Sequence, residues 1–255
     1  FIRDVHHGNF GKSYIYGKPA MDLIFERMPA TLELVAVAAC LVLCIAIPLG
    51  VYAGAYPKRA SSKLIMSGSI LGISLPSFWV GMMMIYIFAV VLRLLPASGR
   101  GNTVMVGNVA LSIFAPGGIR YVILPAITLA LTNVATMLRL TRSGILENMR
   151  QDYIKFARAK GVPAKSILFG HALKNALIPV VTIFGMDLGN MIAFTTITET
   201  IFAWPGMGKL LIDAINKSDR PIIVAYLMAA ACMFVVLNFI VDILYTLIDP
   251  RIELR

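Results

Sequence analysis

The chain has 255 residues, 58% of them hydrophobic and 14% charged, with a formal net charge of +10 and a mean hydropathy of +0.81. A soluble domain averages about 45–50% apolar and about 25% charged residues, so this composition excludes an ordinary water-soluble fold. The Lys and Arg residues sit between apolar runs, a placement that orients spans in a bilayer and argues against nucleic acid as a partner.

In chain order, a polar segment comes first, residues 1–30, carrying Arg3, Asp4, Lys12, Lys18, Asp22, Glu26 and Arg27. Five apolar runs follow: Leu32 to Ala55, Gly68 to Leu92, Val122 to Leu138, Ala176 to Ile197 and Ile222 to Ile248. Each approaches or exceeds the roughly 20 residues that cross a bilayer core. The expected fold class is therefore an all-α membrane protein, a polytopic helical bundle. Basic residues are densest over 139–175 (Arg139, Arg142, Arg150, Lys155, Arg158, Lys160, Lys165, Lys174) and recur at Lys58, Arg59 and Lys63. The positive-inside rule places both loops in the cytoplasm, with Arg251 and Arg255 on the same side. Residues 1–30 then face outward as an extracytoplasmic segment. A transmembrane domain occupies 31–255, with a cytoplasmic loop at 139–175. This orientation predicts a further span upstream of Phe1, giving six spans with both ends in the cytoplasm.

The runs contain Pro48, Pro76, Pro125 and Pro179, which bend helices unless neighbours satisfy the freed backbone. Three glycine pairs, Gly50/Gly54, Gly68/Gly72 and Gly185/Gly189, have the spacing that permits close helix approach. Of the outward loops, 93–121 reads as Gly-rich and irregular. The other, 199–221, turns at Pro205-Gly206-Met207-Gly208 into an amphipathic piece that sets Leu210, Leu211, Ile212 and Ile215 against Lys209, Asp213 and Lys217. Cys40, Cys44 and Cys232 lie within apolar runs, and His6, His7 and His171 make no ligand pattern. Neither a disulfide framework nor a metal site is expected.

A loop that only joined two spans would be short. The stretch 155–175, "KFARAKGVPAKSILFGHALKN", instead reads as helix, break, helix. Gly161 suits the left-handed position that ends a helix, and Pro163 the first turn of the next. Phe156 supplies an aromatic anchor, Ala157 and Ala159 allow close approach, and Lys155, Arg158 and Lys160 can pair with acids on a partner. The alternative is a solvated interfacial helix. Asp187 is an acid at membrane depth, so it should face the bundle interior. It serves either as an attractive site for a cationic cargo group or as a satisfied structural acid. Asn190, Thr195, Thr196 and Thr198 continue a polar stripe on that span, whereas Asp242 reads as structural.

"DYIKFARAKGVPAKSILFGHALKNALIPVVT" at 152–182 resembles the cytoplasmic EAA loop of permeases in bacterial binding-protein-dependent ABC importers. Of the general EAA pattern only Ala157, Gly161 and Leu173 agree; "ARAKG" and "HALKNALIP" fit the dipeptide, oligopeptide and nickel branch far better. "GNFGKS" at 8–13, "MPATLEL" at 28–34, "SLPSFWVGMM" at 74–83, "ILPAITLAL" at 123–131, "LRLTRSGILE" at 138–147, "ETIFAWPGMGKLLIDAI" at 199–215 and "VDILYTLIDPRI" at 241–252 are similar to the same branch, in order. The resemblance implies a type I ABC importer permease in the bacterial cytoplasmic (inner) membrane. Its partners would be a second homologous permease, two ATPase subunits, an extracytoplasmic binding protein and membrane lipid. The coupling helix would comprise Phe156, Ala157, Arg158, Ala159, Lys160 and Gly161, and the pathway would include Asp187 and Asn190. At the position of Asp187 that family usually has a neutral polar residue. The chain has no GxxxxGK loop followed by Ser or Thr, so it is not expected to be an enzyme; ATP and Mg would bind the partner ATPases. The cargo implied is a peptide, with nickel or a nickel complex as the alternative within the same architecture. An ion-driven secondary transporter using Asp187 as a proton relay is the reading from a different class.

Overall fold

A computed structural model describes residues 10–107 and 109–248. His6, His7, Arg251 and Arg255 lie outside the described residues, as does the side chain of Asp242. Apolar runs become helices because only a helix satisfies its own backbone in a bilayer. The first is α1 (Ala20–Ala55), which starts well before the apolar run at Leu32. Next come α2 (Ala60–Ser74) and α3 (Ser77–Met84), the latter prolonged by a π-helical stretch, Ile85–Val91. Four further helices follow: α4 (Ile119–Asn148), α5 (Asp152–Ala159), a short α6 (Ala164–Ser166), and α7 (Leu173–Ile201), which α6 joins through a π-helical turn, Ile167–Ala172. The chain then forms α8 (Met207–Asn216) and α9 (Arg220–Ile248).

Four of these helical stretches are long and apolar enough to cross a membrane, and the α2–α3 pair makes a fifth if counted as one bent span. That pair breaks at Leu75–Pro76, so the run expected from Gly68 to Leu92 is not one continuous helix. Pro76 has no N–H to donate and disfavours helix at the residue before it. Pro125 and Pro179, in contrast, stay inside α4 and α7. Residues 93–121 are also more ordered than expected. They hold an antiparallel hairpin, β1 (Val104–Val106) with β2 (Val109–Leu111), in register Val104 to Leu111.

The residues group into two compact units. Among the described residues, the first draws on the stretches 10–38, 77–129 and 188–237. Its apolar core joins Ala20, Leu23 and Ile24 of α1 to Met207, Leu210 and Ala214 of α8 and Ile222 and Ala225 of α9. Ile215, expected on the apolar side of α8, is 51% exposed; the buried positions 207, 210 and 214 follow the helical period and leave it outside. Three buried carboxylates tie this unit together. Glu33 Oε1 accepts from Ser112 N (2.6 Å), Ser112 Oγ and Ile113 N, while Oε2 accepts from Arg100 Nε at 2.9 Å. Glu199 accepts from Thr31 Oγ1 (2.6 Å) and from Lys209 N (2.9 Å) near the start of α8. Asp219 accepts from Ser13 Oγ (2.5 Å) and Tyr14 N. Thr31 Oγ1 also accepts from Met207 N, and the fully buried Trp204 donates its indole N–H to Ala30 O. Gly206 and Gly208 are required beside Glu199: a Cβ at Gly208 would lie 2.6 Å from Thr196 Cα, and one at Gly206 would strike the carboxylate itself.

Among the described residues, the second unit draws on the stretches 39–76, 130–187 and 238–248. Here helices meet through small residues. A Cβ on Gly50 would lie 2.6 Å from Thr141 Cβ, and one on Gly54 2.7 Å from Ile145 Cβ, so α1 and α4 touch nearly backbone to backbone. Gly68, by contrast, has nothing within 4 Å. The same spacing in sequence therefore has two different meanings.

Gly54→Ala should force α1 and α4 apart and cost about 1–3 kcal/mol, read as a lowered Tm of the purified protein. Gly68→Ala should leave the Tm unchanged. In the first unit, Thr31→Ala and Glu199→Gln should each be destabilising. Their double mutant should show a coupling of about 0.5–3 kcal/mol, because Ala removes the donor and Gln replaces the charged acceptor of the same bond with a neutral amide; additive losses would mean that the two side chains act independently.

Candidate functional site

The loop between α4 and α7 is built onto the ends of these two flanking helices. Asn148 Nδ2 donates to Gly144 O on α4, and Tyr153 OH donates to Asn148 Oδ1 at 2.9 Å. Asn175 Nδ2 of α7 donates to that same hydroxyl, also at 2.9 Å. One phenol thus bridges both helices to α5. Beneath it Ile154, fully buried, packs with Val51, Ile145, Ile167, Ala172 and Ala176. Burial of an Ile side chain stabilises by about 1.5–3 kcal/mol, so this contact holds α5 to the unit.

The six residues expected to meet a partner fall on two sides of this arrangement. Phe156 is 62% exposed, and Lys160 Nζ sits 4.5 Å above its ring. Arg158, Ala159, Lys160 and Gly161 are also exposed. Ala157 differs: it is half-buried and packs against the Ile154 cluster, so its small size serves the fold of its own chain. Gly161 follows the helix end at Lys160 with φ +78°, as its position after the helix predicted, and open space surrounds it. Pro163 caps the next helix from the extended region (φ −58°, ψ 141°) instead of entering its first turn. A second exposed aromatic, Phe169 (52%), lies in the π-helical turn and was not singled out from sequence. Such turns are rare and often mark functional positions.

Asp187 and Asn190 lie three residues apart on α7, a spacing that puts both on one helix face. Asp187 is half-buried and engaged by an interaction within the protein; Asn190 is exposed. The polar stripe expected beyond them does not form. Thr195 bonds back to Ile192 O, Thr196 pairs with Tyr226 OH at 3.2 Å, and Thr198 is buried. At about 100° per residue these threonines point in different directions. Sequence reading also passed over Glu33, Glu199 and Asp219, although the first two lie in the quoted strings "MPATLEL" and "ETIFAWPGMGKLLIDAI". An acid beside an apolar run was the available signal. Among the described residues no group of three or more His, Cys, Asp or Glu could hold a metal ion.

Comparison with known proteins places this architecture. The fold is similar to that of a chain of the inward-facing MetNI methionine ABC transporter, with a TM-score of 0.69 and 16% identity over 90% of this chain and 97% of that one. In sequence, the chain is 41% identical over 254 residues to the oligopeptide transport system permease protein AppB of Bacillus subtilis, covering 99% of this chain and 78% of AppB. It is 37% identical to the probable D,D-dipeptide transport system permease protein DdpB of Escherichia coli, with 99% and 78% covered. Residues 46–254 match the family described as binding-protein-dependent transport system inner membrane component. With a loop clasped between two apolar helices and this breadth of agreement, the chain belongs to the binding-protein-dependent transport system inner membrane components, as a permease of the ABC importer type.

Proposed function

We propose that this chain forms part of the transmembrane pathway of a peptide importer and couples to a partner ATPase through the exposed side of α5. The observation that carries the cargo is agreement over 99% of the chain with permeases named for oligopeptide and dipeptide transport. Nothing specific favours nickel. The basic loops 57–63 and 139–175 face the cytoplasm, and the segments around Ser13, Arg100 and α8 face outward. ATP and magnesium bind the partner ATPases, a second permease completes the pathway, and an extracytoplasmic binding protein delivers the peptide.

At the inner end, Phe156 with Lys160 over its ring offers an aromatic anchor, and Arg158 adds a positive charge for an acidic rim on the ATPase. The Tyr153 bridge makes α5 a rigid extension of α4 and α7, so a push on α5 is passed to the membrane helices. Asp187 supplies a negative charge on α7 that favours cationic peptide groups.

Reconstitution with ATPases and binding protein tests the reading. Peptides should be taken up in an ATP-dependent way, and a complex that moves nickel but not peptides would reverse the cargo. Gly161→Val places a β-branched residue at φ +78°, a conformation that costs an L-residue about 1–2 kcal/mol or more. The local rearrangement should cut transport per ATP about tenfold or more, while the protein still inserts in the membrane. Normal coupled transport by this variant would remove α5 from the coupling role. Asp187→Asn should lower uptake of cationic peptides several-fold, about 1 kcal/mol net once desolvation offsets the Coulomb gain, and affect neutral peptides less. A uniform loss across peptides of different charge would make Asp187 a structural acid.

A further inference from the structure

The first unit contains a small polar cleft that neither the coupling loop nor the pathway residues explain. It is about 150 Å³ and lies between the start of α1, the 203–206 turn and α8. Arg27, Lys209, Asp213 and Tyr16 supply its polar walls, with Gly206 and Leu210 beside them. Lys209 Nζ is already paired with Asp213 Oδ2 at 2.7 Å. That leaves Arg27. Among the described residues it forms no hydrogen bond or ion pair, and it is half-buried in a wall of the cleft. With Lys209 and Asp213 cancelling, the cleft carries one uncompensated positive charge on a guanidinium whose planar fork matches a carboxylate. Tyr16, 42% exposed, adds a phenol at its edge.

Size narrows the occupant. The cleft is small, about 150 Å³, a size that suits one side-chain carboxylate with part of its solvation. The walls are also held firmly: Met207 N of α8 donates to Thr31 of α1, one turn from Arg27, and Glu199 of α7 accepts from both Thr31 and Lys209 N. A charge on a fixed wall at the edge of an interface chiefly raises encounter rate and sets register.

We propose that this cleft receives an acidic side chain of the extracytoplasmic binding protein and so registers that protein on the permease; the proposal rests on the importer reading above. Arg27 forms the bidentate pair with the incoming carboxylate, and Tyr16 donates to it from the rim. Lys209 stays held by Asp213, which keeps the cleft from binding a free dianion strongly.

The test uses the assembled transporter in proteoliposomes with its purified binding protein, reading the concentration of that protein that half-maximally stimulates ATP hydrolysis. Arg27→Glu should raise this concentration about tenfold or more, and the rise should shrink in high salt. Arg27→Gln should give an intermediate shift and Arg27→Lys a shift below about threefold. Lys18→Glu makes the same charge change on a residue already facing Glu26 and exposed, outside the cleft; it should shift the value less than about twofold. An unchanged value for Arg27→Glu, or an equal shift for Lys18→Glu, overturns the proposal. So does a shift seen only with peptides bearing a free C-terminal carboxylate and lost with their amides, which would assign the cleft to cargo. If the unmodified transporter shows no stimulation by the binding protein, the importer reading itself fails and the proposal falls with it.

Discussion

A carboxylate withdrawn from water is tolerated only where donors converge on it, and Glu199 meets that requirement with groups from two other segments. Its two oxygens bind Thr31 of α1 and the backbone of Lys209, so the first membrane helix, the end of α7 and the start of α8 become one construction. The glycines at 206 and 208 follow from it, because any side chain there would occupy the carboxylate's place or strike Thr196. Glu33 and Asp219 repeat the principle, joining α1 to the stretch after the hairpin and the N-terminal segment to the start of α9. Leaving a buried acid with a lost donor costs about 1–3 kcal/mol or more, so each knot resists separation of its segments.

The second unit uses another means. Its helices approach through Gly50, Gly54 and Gly144, where backbone atoms meet Thr141, Ile145 and Ala176 directly. Lipid chains are as apolar as Leu, so helices gain little from hydrophobic burial alone in a bilayer; close packing has to supply the difference. The polar contribution there is small and local, the Asn148–Tyr153–Asn175 chain, and it holds α5 against the ends of two helices.

This contrast bears on function. The coupling role proposed for α5 requires rigidity relative to the helices it would move, and α5 is pinned by one buried isoleucine and one phenol bonded on both sides. The adjoining π-helical turn and the left-handed Gly161 confine irregular backbone to the junction, leaving α5 itself regular. Three carboxylate knots hold the segments proposed to meet a delivering partner, through buried side-chain bonds between distant parts of the chain.

Much of this was legible in the sequence. Five apolar runs stand out because a bilayer demands length and low charge, and the helix end at Gly161 because a left-handed residue after a helix favours glycine. The role of Ala157 was not legible, since a small residue serves a partner or its own core equally well. The hairpin at 104–111 is too short for a periodicity to declare itself. Which glycines are close contacts depends on the facing helix: Gly54 meets Ile145, whereas Gly68 meets nothing. The partners of Glu33, Glu199 and Asp219 lie 79, 168 and 206 residues away in the chain. Local pattern determines that a segment is helical and apolar, through backbone hydrogen bonding and transfer from water. Which donors reach a buried acid is decided only when distant segments meet, because hydrogen bonds act over about 3 Å and carry no record along the chain.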